Sequence, residues 1–282
     1  MEFVKCVNQD WHMQGFTSDE KHEFMYWSFT NSVVKTTIGG TVICQVRCYD
    51  HGHLGGMDYH DGKVYVSFMA DPSPYTFWGD WSAFYIYVYD AFDLKLLERI
   101  ELPECKQYKK DLMGGFRGID GIAFGKAPGT DVTKMFVACA VEKGAEYDRQ
   151  YILQLDENHK VEKIHSVKTG NTIFGIQNLD YEEDTGCFWI TTYGKSQKTD
   201  PQDTLFCLNP ELTEVVESYE YTTPYGFECL GGGEYYCSLQ GGKNGNRSGV
   251  AYKVNKDFLK ENKILNDKIL NPYIYSLLDK KD

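Results

Sequence analysis

A chain of 282 residues and 32.4 kDa is larger than a minimal module and suits one large all-β domain or two smaller units. With 29 Lys+Arg against 41 Asp+Glu the net charge is −12, which disfavours a broad electrostatic footprint for nucleic acid or anionic lipid. Hydrophobic residues at 42% exclude disorder, and an aromatic share of 15% favours strands.

The first residues, Met1-Glu2-Phe3-Val4-Lys5-Cys6, carry an acid and a base where a secretory signal builds its apolar segment, so a cytoplasmic chain is expected. Uncharged stretches such as 24–34 and 36–46 are too short and too polar for a membrane span. Nine cysteines is an odd number, no Cys-x-x-Cys occurs, and Cys44 and Cys48 are too far apart on a strand to share a metal unaided. Reduced, structural thiols are expected.

Residues 2–7 read as a spare strand. One pattern then recurs five times: Met13-Gln14-Gly15-Phe16-Thr17, Leu54-Gly55-Gly56-Met57-Asp58, Ile119-Asp120-Gly121-Ile122-Ala123, Ile176-Gln177-Asn178-Leu179-Asp180 and Pro224-Tyr225-Gly226-Phe227-Glu228. Glycine holds the third position in all but the fourth copy, as crowding of backbones at a common axis would require. Each copy is followed by a turn and an alternating or aromatic strand, such as Phe24-Met25-Tyr26-Trp27 or Cys187-Phe188-Trp189-Ile190. Third strands end near Asp90, Asp156, Asn209 and Asn255, and fourth strands follow in the first four units, for example 94–102 and 161–167. The fifth unit lacks its fourth strand. The predicted fold is therefore all-β, a five-bladed β-propeller of four-stranded antiparallel blades spanning 1–256, its ring closed by the N-terminal strand. Residues 257–282 form a C-terminal tail that adds a short helix, adds an edge strand or stays a mobile end.

Long connections are expected at 49–53, 71–82, 103–117, 142–148, 168–174, 194–203 and 240–248. In a propeller these emerge where the inner strands begin, so function is expected at that mouth of the central channel. The inner strands bring His12, Gln14, His53, Asp120, Gln177 and Tyr225 there, with Arg117 and Phe174 just before them. Two imidazoles, a carboxylate and two amides can orient a polar ligand, hold a divalent metal, or simply be solvated. The segment 74–81 carries Tyr75, Phe77, Trp78 and Trp81, which either stack on a planar or sugar-like ligand or pack as a lid over the blade edge. Lys195, Lys198, Lys243 and Arg247 against Asp200 and Asp203 form a local basic excess, pointing to an anionic molecule or to solvated loop charge. Asp58, Asp180 and Glu228, two positions deeper, are expected to accept backbone amides of neighbouring blades; acid catalysis there would need a raised pKa.

The motifs resemble the inner strands of the glutamine cyclotransferase-like propellers, five-bladed proteins of comparable length. That family's Phe-Thr-Gln-Gly is similar to His12-Met13-Gln14-Gly15, and its Leu-Asn-Glu-Leu-Glu-Tyr to Ile176-Gln177-Asn178-Leu179-Asp180-Tyr181. The resemblance implies the fold. The family's Gly-Glu-Gly in the second blade, whose acid transfers the proton, reads Leu54-Gly55-Gly56 here, with glycine in place of the acid. The expected function is a monomer that binds a small polar metabolite, sugar-like or anionic, at the channel mouth. The alternatives are a metal-assisted hydrolase or lyase, or a cyclotransferase-like enzyme, at the same site, and a protein-interaction platform.

Overall fold

A computed structural model of the chain describes residues 3–71, 81–111, 116–141, 148–170, 172, 174–193, 204–220, 223–243 and 245–261. Twenty strands form five four-stranded antiparallel sheets. The first blade holds β2 (Met13–Ser18), β3 (Phe24–Phe29), β4 (Ser32–Thr37) and β5 (Val42–Arg47). The second holds β6 (Gly52–His60), β7 (Lys63–Ala70), β8 (Ala83–Asp90) and β9 (Leu96–Glu101). After a helix, α1 (Cys105–Asp111), come β10 (Phe116–Lys126), β11 (Thr133–Val141), β12 (Arg149–Leu155) and β13 (Val161–Lys168). The fourth blade holds β14 (Ile176–Glu182), β15 (Cys187–Thr192), β16 (Leu205–Leu208) and β17 (Val215–Tyr219).

The fifth blade closes the ring. Its strands β18 (Phe227–Gly231), β19 (Glu234–Lys243) and β20 (Asn246–Asn255) are completed on the outside by β1 (Phe3–Gln9), which pairs with β20 from Phe3↔Tyr252 to Gln9↔Arg247. As the missing fourth strand suggested, the first and last strands share one sheet.

Period-two writing explains how the blades stack. In β3, Met25, Trp27 and Phe29 point into a cluster with Val4, Cys6 and Tyr236 of the fifth blade, while Tyr26 points the other way, into a cluster with Leu54, Val66 and Phe68 of the second. In β15, Phe188 and Ile190 face the third blade and Trp189 the fifth. Five apolar clusters result, one per blade interface, and the strands that separate them are apolar on both faces.

Polar latches fix the stacking. Asp58 accepts the Phe124 amide of the third blade at 2.7 Å, Asp180 that of Cys229 in the fifth, and Glu228 that of Ser18 in the first at 2.7 Å. The recurring acid at the fifth motif position thus ties one inner strand to the next. At the axis, the third position brings Gly15, Gly56 and Gly121 together: a Cβ on Gly56 would lie 2.9 Å from the Gly121 Cα, and one on Gly15 2.9 Å from the Gly56 Cα. Asn178 occupies the room these glycines leave, its amide donating to the Pro224 carbonyl at 2.8 Å and the Gln14 carbonyl at 3.3 Å.

Three local expectations need correction. The fifth motif begins as a turn, and β18 starts only at Phe227; Pro224 offers no amide to a ladder, and Gly226, at φ 148°, lies against the Phe16 ring instead of the axis. Within the stretch 240–248, residues 240–243 and 246–248 are strand and not loop: β19 and β20 pair from Gln240↔Gly249 to Lys243↔Asn246, and Gly242, at φ 76°, allows the approach, since a Cβ there would lie 2.1 Å from the Asn246 carbonyl oxygen. Arg117 lies inside β10, not before it. All nine cysteines are free thiols. The tail opens with α2 (Lys256–Glu261), whose Leu259 is buried between the fourth and fifth blades; residues 262–282 lie outside the described residues. Among the described residues no helix is long and apolar enough to cross a membrane.

Candidate functional site

A cavity of about 250 Å³ opens where the inner strands begin. At roughly 30 Å³ per water, this is room for about eight waters or one small molecule. Four inner-strand positions build its polar floor: Gln14 of β2, His53 of β6, Asp120 of β10 and Gln177 of β14, joined by Arg117 of β10 and by His12 before β2. Trp81 and Phe174 supply apolar wall. Of the residues singled out from sequence, Tyr225 does not line the cavity; it meets Tyr193, which does, with ring centroids 6.2 Å apart. Tyr75 and Trp78 lie outside the described residues, as do Phe77, Lys195, Lys198, Asp200, Asp203 and the side chain of Lys243.

Met69, Ala140 and Tyr193 also line the cavity and were missed. The usable signal was register: Met69 pairs with His53 and Ala140 with Gly118, so the ends of the second strands reach the mouth beside the starts of the first.

Burial sets the electrostatics. His53 is 6% exposed, its ring 5.8 Å from that of Trp81, and desolvation with the positive neighbourhood of Arg117 and His12 pushes its pKa down to about 3. His12 is also lowered, by partial burial and then by Arg247, so both imidazoles are neutral at pH 7. The Gln240 amide donates to His12 Nδ1 at 3.0 Å while its Oε1 accepts the Met13 amide at 2.7 Å, and Arg247 Nη2 lies 3.2 Å from His12 Nε2. These partners reach His12 because the β19–β20 hairpin is long.

Asp120 is 4% exposed. Its Oδ1 accepts the Gly56 amide at 3.1 Å, but desolvation outweighs that bond and pushes its pKa up to about 8. At neutral pH it is largely a protonated acid. A Cβ on Gly55 would lie 2.4 Å from Asp120 Oδ1 and 2.4 Å from Ser67 Oγ. The carboxyl of the third blade therefore fills the space where a side chain at the second motif position of the second blade would stand.

Phe174 carries backbone strain. Its φ of 64° is left-handed, rare for a bulky residue and worth about 1–3 kcal/mol. The conformation is held by its carbonyl, which accepts the Val141 amide at 3.1 Å, and by the neighbouring bridge Ala140↔Gly175. It places the ring 5.4 Å from the Arg117 guanidinium and 6.1 Å from the Tyr193 ring. Among the described residues no three His, Cys, Asp or Glu side chains are placed to share a metal ion.

No protein-family model and no curated protein sequence matches the chain. Among solved structures, it is similar to a protein of unknown function from Bacteroides caccae (12% identity over 74% of this chain and 82% of that one, TM-score 0.42). It is also similar to a chain of a nidogen/laminin complex (13%, 91% and 80%, TM-score 0.48) and to the β-propeller domain of Cps50 (Swd1) from Myceliophteria thermophila (9%, 86% and 83%, TM-score 0.42). The five-bladed architecture itself is read from the sheets: five of them, each four-stranded and antiparallel, the last completed by β1.

Proposed function

We propose that the chain binds a small polar molecule with a flat apolar face in the cavity at the channel mouth. The observation that carries this reading is convergence: Gln14, Asp120 and Gln177, from the second motif position of three blades, line one cavity of about 250 Å³ with Trp81 and Phe174. A few directed polar groups against aromatic wall is the usual make-up of a small-ligand site, and strain at Phe174 is the kind retained where a wall must be pre-positioned. The resemblance to glutamine cyclotransferase-like propellers supports a ligand at this mouth. Their second-blade acid has no counterpart on β6, and the Asp120 carboxyl of β10 stands in that space; the reading as a binding site rests on the directed polar groups against an aromatic wall.

A thermal-shift panel of polar metabolites tests the reading. A compound at a hundred times its Kd stabilises by about 2.7 kcal/mol, several degrees for a chain of this size. Its binding should weaken about 5- to 150-fold in Gln177→Ala, the loss of one or two directed hydrogen bonds. A panel without hits, or hits indifferent to Gln177→Ala and Gln14→Ala, would refute the site and favour an interaction platform.

A further inference from the structure

We infer that Ser18 and His22 form a proton relay between solvent and Glu228, so that the buried acid tying the fifth blade to the first takes up and releases its proton through the surface and shows its state there. The relay lies at the deep end of the inner strands, away from the cavity, and is independent of the ligand reading above.

The chain of contacts is continuous. Glu228 Oε1 accepts the Ser18 amide at 2.7 Å and the Ser18 hydroxyl at 2.6 Å, and that hydroxyl lies 2.5 Å from His22 Nδ1. Ser18 and Glu228 are buried, whereas His22 is exposed in the turn between β2 and β3. The turn brings the imidazole back over the end of β2: His22 has a left-handed φ of 52°, its amide donates to the Asp19 carbonyl at 2.8 Å, and Asp19 Oδ1 accepts the Glu23 and Phe24 amides at 2.7 and 2.8 Å.

A hydroxyl has one hydrogen to give, so two arrangements keep every donor of the chain paired. With Glu228 ionised, Ser18 donates to Oε1 and accepts from His22 Nδ1–H. With Glu228 protonated on Oε1, the acid donates to Ser18 Oγ and Ser18 donates to a bare Nδ1, which leaves the imidazole hydrogen on Nε2. Oε2 is the other place for the proton, but it is buried with no hydrogen-bond partner, and an O–H there would be a buried donor left unpaired. Loading starts when solvent protonates His22 at Nε2. The Nδ1–H bond then breaks as a new Ser18 O–H forms, and the former Ser18 O–H breaks as Oε1–H forms. Imidazolium and carboxylate become neutral imidazole and acid, and the serine is unchanged.

The surroundings place the exchange near neutrality. Burial, joined by the charge of Asp19, raises the Glu228 pKa to about 7 against the pull of the Ser18 bonds. Asp58 of β6 and Asp180 of β14 share the deep end with it, each tied to an amide of the next blade, and Glu182 of β14 is bonded to Tyr235 of β19. Cys229 of β18 is a neutral thiol, and Tyr236 of β19 stands opposite Glu228 in the ladder. Lys253 of β20 is ion-paired with Glu234 of β19 at 2.6 Å, and Glu20, Lys21 and Glu23 are exposed in the turn. Partial burial lowers the His22 pKa, outweighing Asp19, and Lys253 adds to the fall. His22 is therefore neutral at pH 7, where the position of its hydrogen follows Glu228 and not its own charge. Below about pH 7 its Nε2 is a donor at the surface; above, it is an acceptor.

The test follows the two ring nitrogens of His22 by proton–nitrogen correlation NMR of the full chain, labelled in histidine, from pH 5 to pH 9; the His22 signals are those lost in His22→Gln. Among neutral rings, about nine-tenths should carry the hydrogen on Nε2 one pH unit below the Glu228 midpoint and about one-tenth one unit above it. The ring's own gain of charge comes at lower pH and is a separate event. Glu228→Gln should hold one tautomer across the range. Ser18→Ala keeps the amide bond to Glu228 but lacks the hydroxyl, and should give a mixture of tautomers that does not change with pH. Either variant serves if the other fails to fold, and the wild-type titration alone can refute the relay. A tautomer ratio constant between pH 6 and pH 8 in the wild type, a hydrogen that stays on Nδ1 throughout, or the same switch in Ser18→Ala or Glu228→Gln would each overturn the inference.

Discussion

Replacing Gly121 by alanine puts a methyl group against the backbone of the next blade. Its Cβ would lie 2.5 Å from the Leu179 nitrogen, 2.8 Å from the Asn178 carbonyl carbon and 2.9 Å from the Asn178 Cα. Non-bonded heavy atoms rest at about 3.5–4.0 Å, so β14 would have to retreat by about 1 Å, and backbone cannot rotate out of the way as a side chain can. Overpacking typically costs about 1–3 kcal/mol, and displacing β14 also strains the two hydrogen bonds by which Asn178 holds Gln14 and Pro224. We expect a loss of about 3 kcal/mol, or about 6–12 °C in melting temperature for a chain of this size. Gly39→Ala is the control: its Cβ would meet Thr37 Oγ1 at an ordinary 3.6 Å, and a surface change of that kind stays within about 0.5 kcal/mol. Circular-dichroism melts of the two variants decide the matter. A Gly121→Ala protein that melts within about 2 °C of wild type, or no worse than Gly39→Ala, would refute the packing of glycines about the axis.

Removing residues 1–9 deletes β1, exposing the ladder edge of β20 and removing the fully buried Cys6 and nearly buried Val4 from the interface of the fifth and first blades. Burial of the two side chains and about four ladder hydrogen bonds amount to about 5–8 kcal/mol, comparable to the whole stability of a domain, so the truncated chain should fail to give a cooperative melt; one that unfolds like the full chain contradicts closure by β1. The buried acids predict an unusual pH profile. Burial, with repulsion from Glu228 on Asp58 and from Asp19 on Glu228, raises Asp58 and Glu228 to about 7, and burial alone raises Asp120 to about 8, above their unfolded values near 4. The folded chain then holds protons that the unfolded chain has released, so stability is greatest at the acid end of that window and is lost as pH rises through 7 and 8. About two protons differ at pH 7, giving a fall of about 2–3 kcal/mol per pH unit. Melting temperatures between pH 5 and 9 should drop with rising pH, less steeply in Asp120→Asn, and a flat or rising profile would show that these carboxyls are ionised in the fold.

The fold was legible because each blade repeats one text. A five-residue motif, an alternating second strand and an Asp or Asn at the end of the third strand recur often enough to count blades, and the unit lacking its last strand pointed to the N-terminus. What failed was local and had local causes. Gly241 and Gly242 read as loop by composition, yet paired within the β19–β20 hairpin, and no residue-by-residue reading brings Arg247 to His12 across the closure of the ring. Gly226 matched the motif letter while serving a different purpose against Phe16. The polar residues of the mouth were legible as positions in a repeat. Their protonation states were not, because those follow from depth of burial, which depends on the neighbouring blade. Gly55 is the clearest case: taken alone it marks a missing acid, and only the third blade shows the carboxyl of Asp120 in the same space.

The two ends of the channel are chemically unlike because Asn178 separates them. Its side chain bonds across the axis to the first and fifth blades, and the glycines of the first three blades close around it. On the deep side the carboxyls of Asp58, Asp180 and Glu228 each take an amide of the next blade, so their hydrogen-bonding capacity serves the ring. On the mouth side the corresponding positions carry Gln14, Asp120 and Gln177, and a cavity stands over them. A side chain that latches blades must find its amide at a fixed height, which explains why the fifth position repeats an acid in three blades. The second position varies among Gln, Gly, Asp and Tyr: Asp120 accepts the Gly56 amide of the second blade, while Gln14 bonds Thr30 of its own blade. Variation at the second position of a repeat, beside an acid that recurs in three blades three residues deeper, is what a ring produces when the deep end carries the contacts that hold it together.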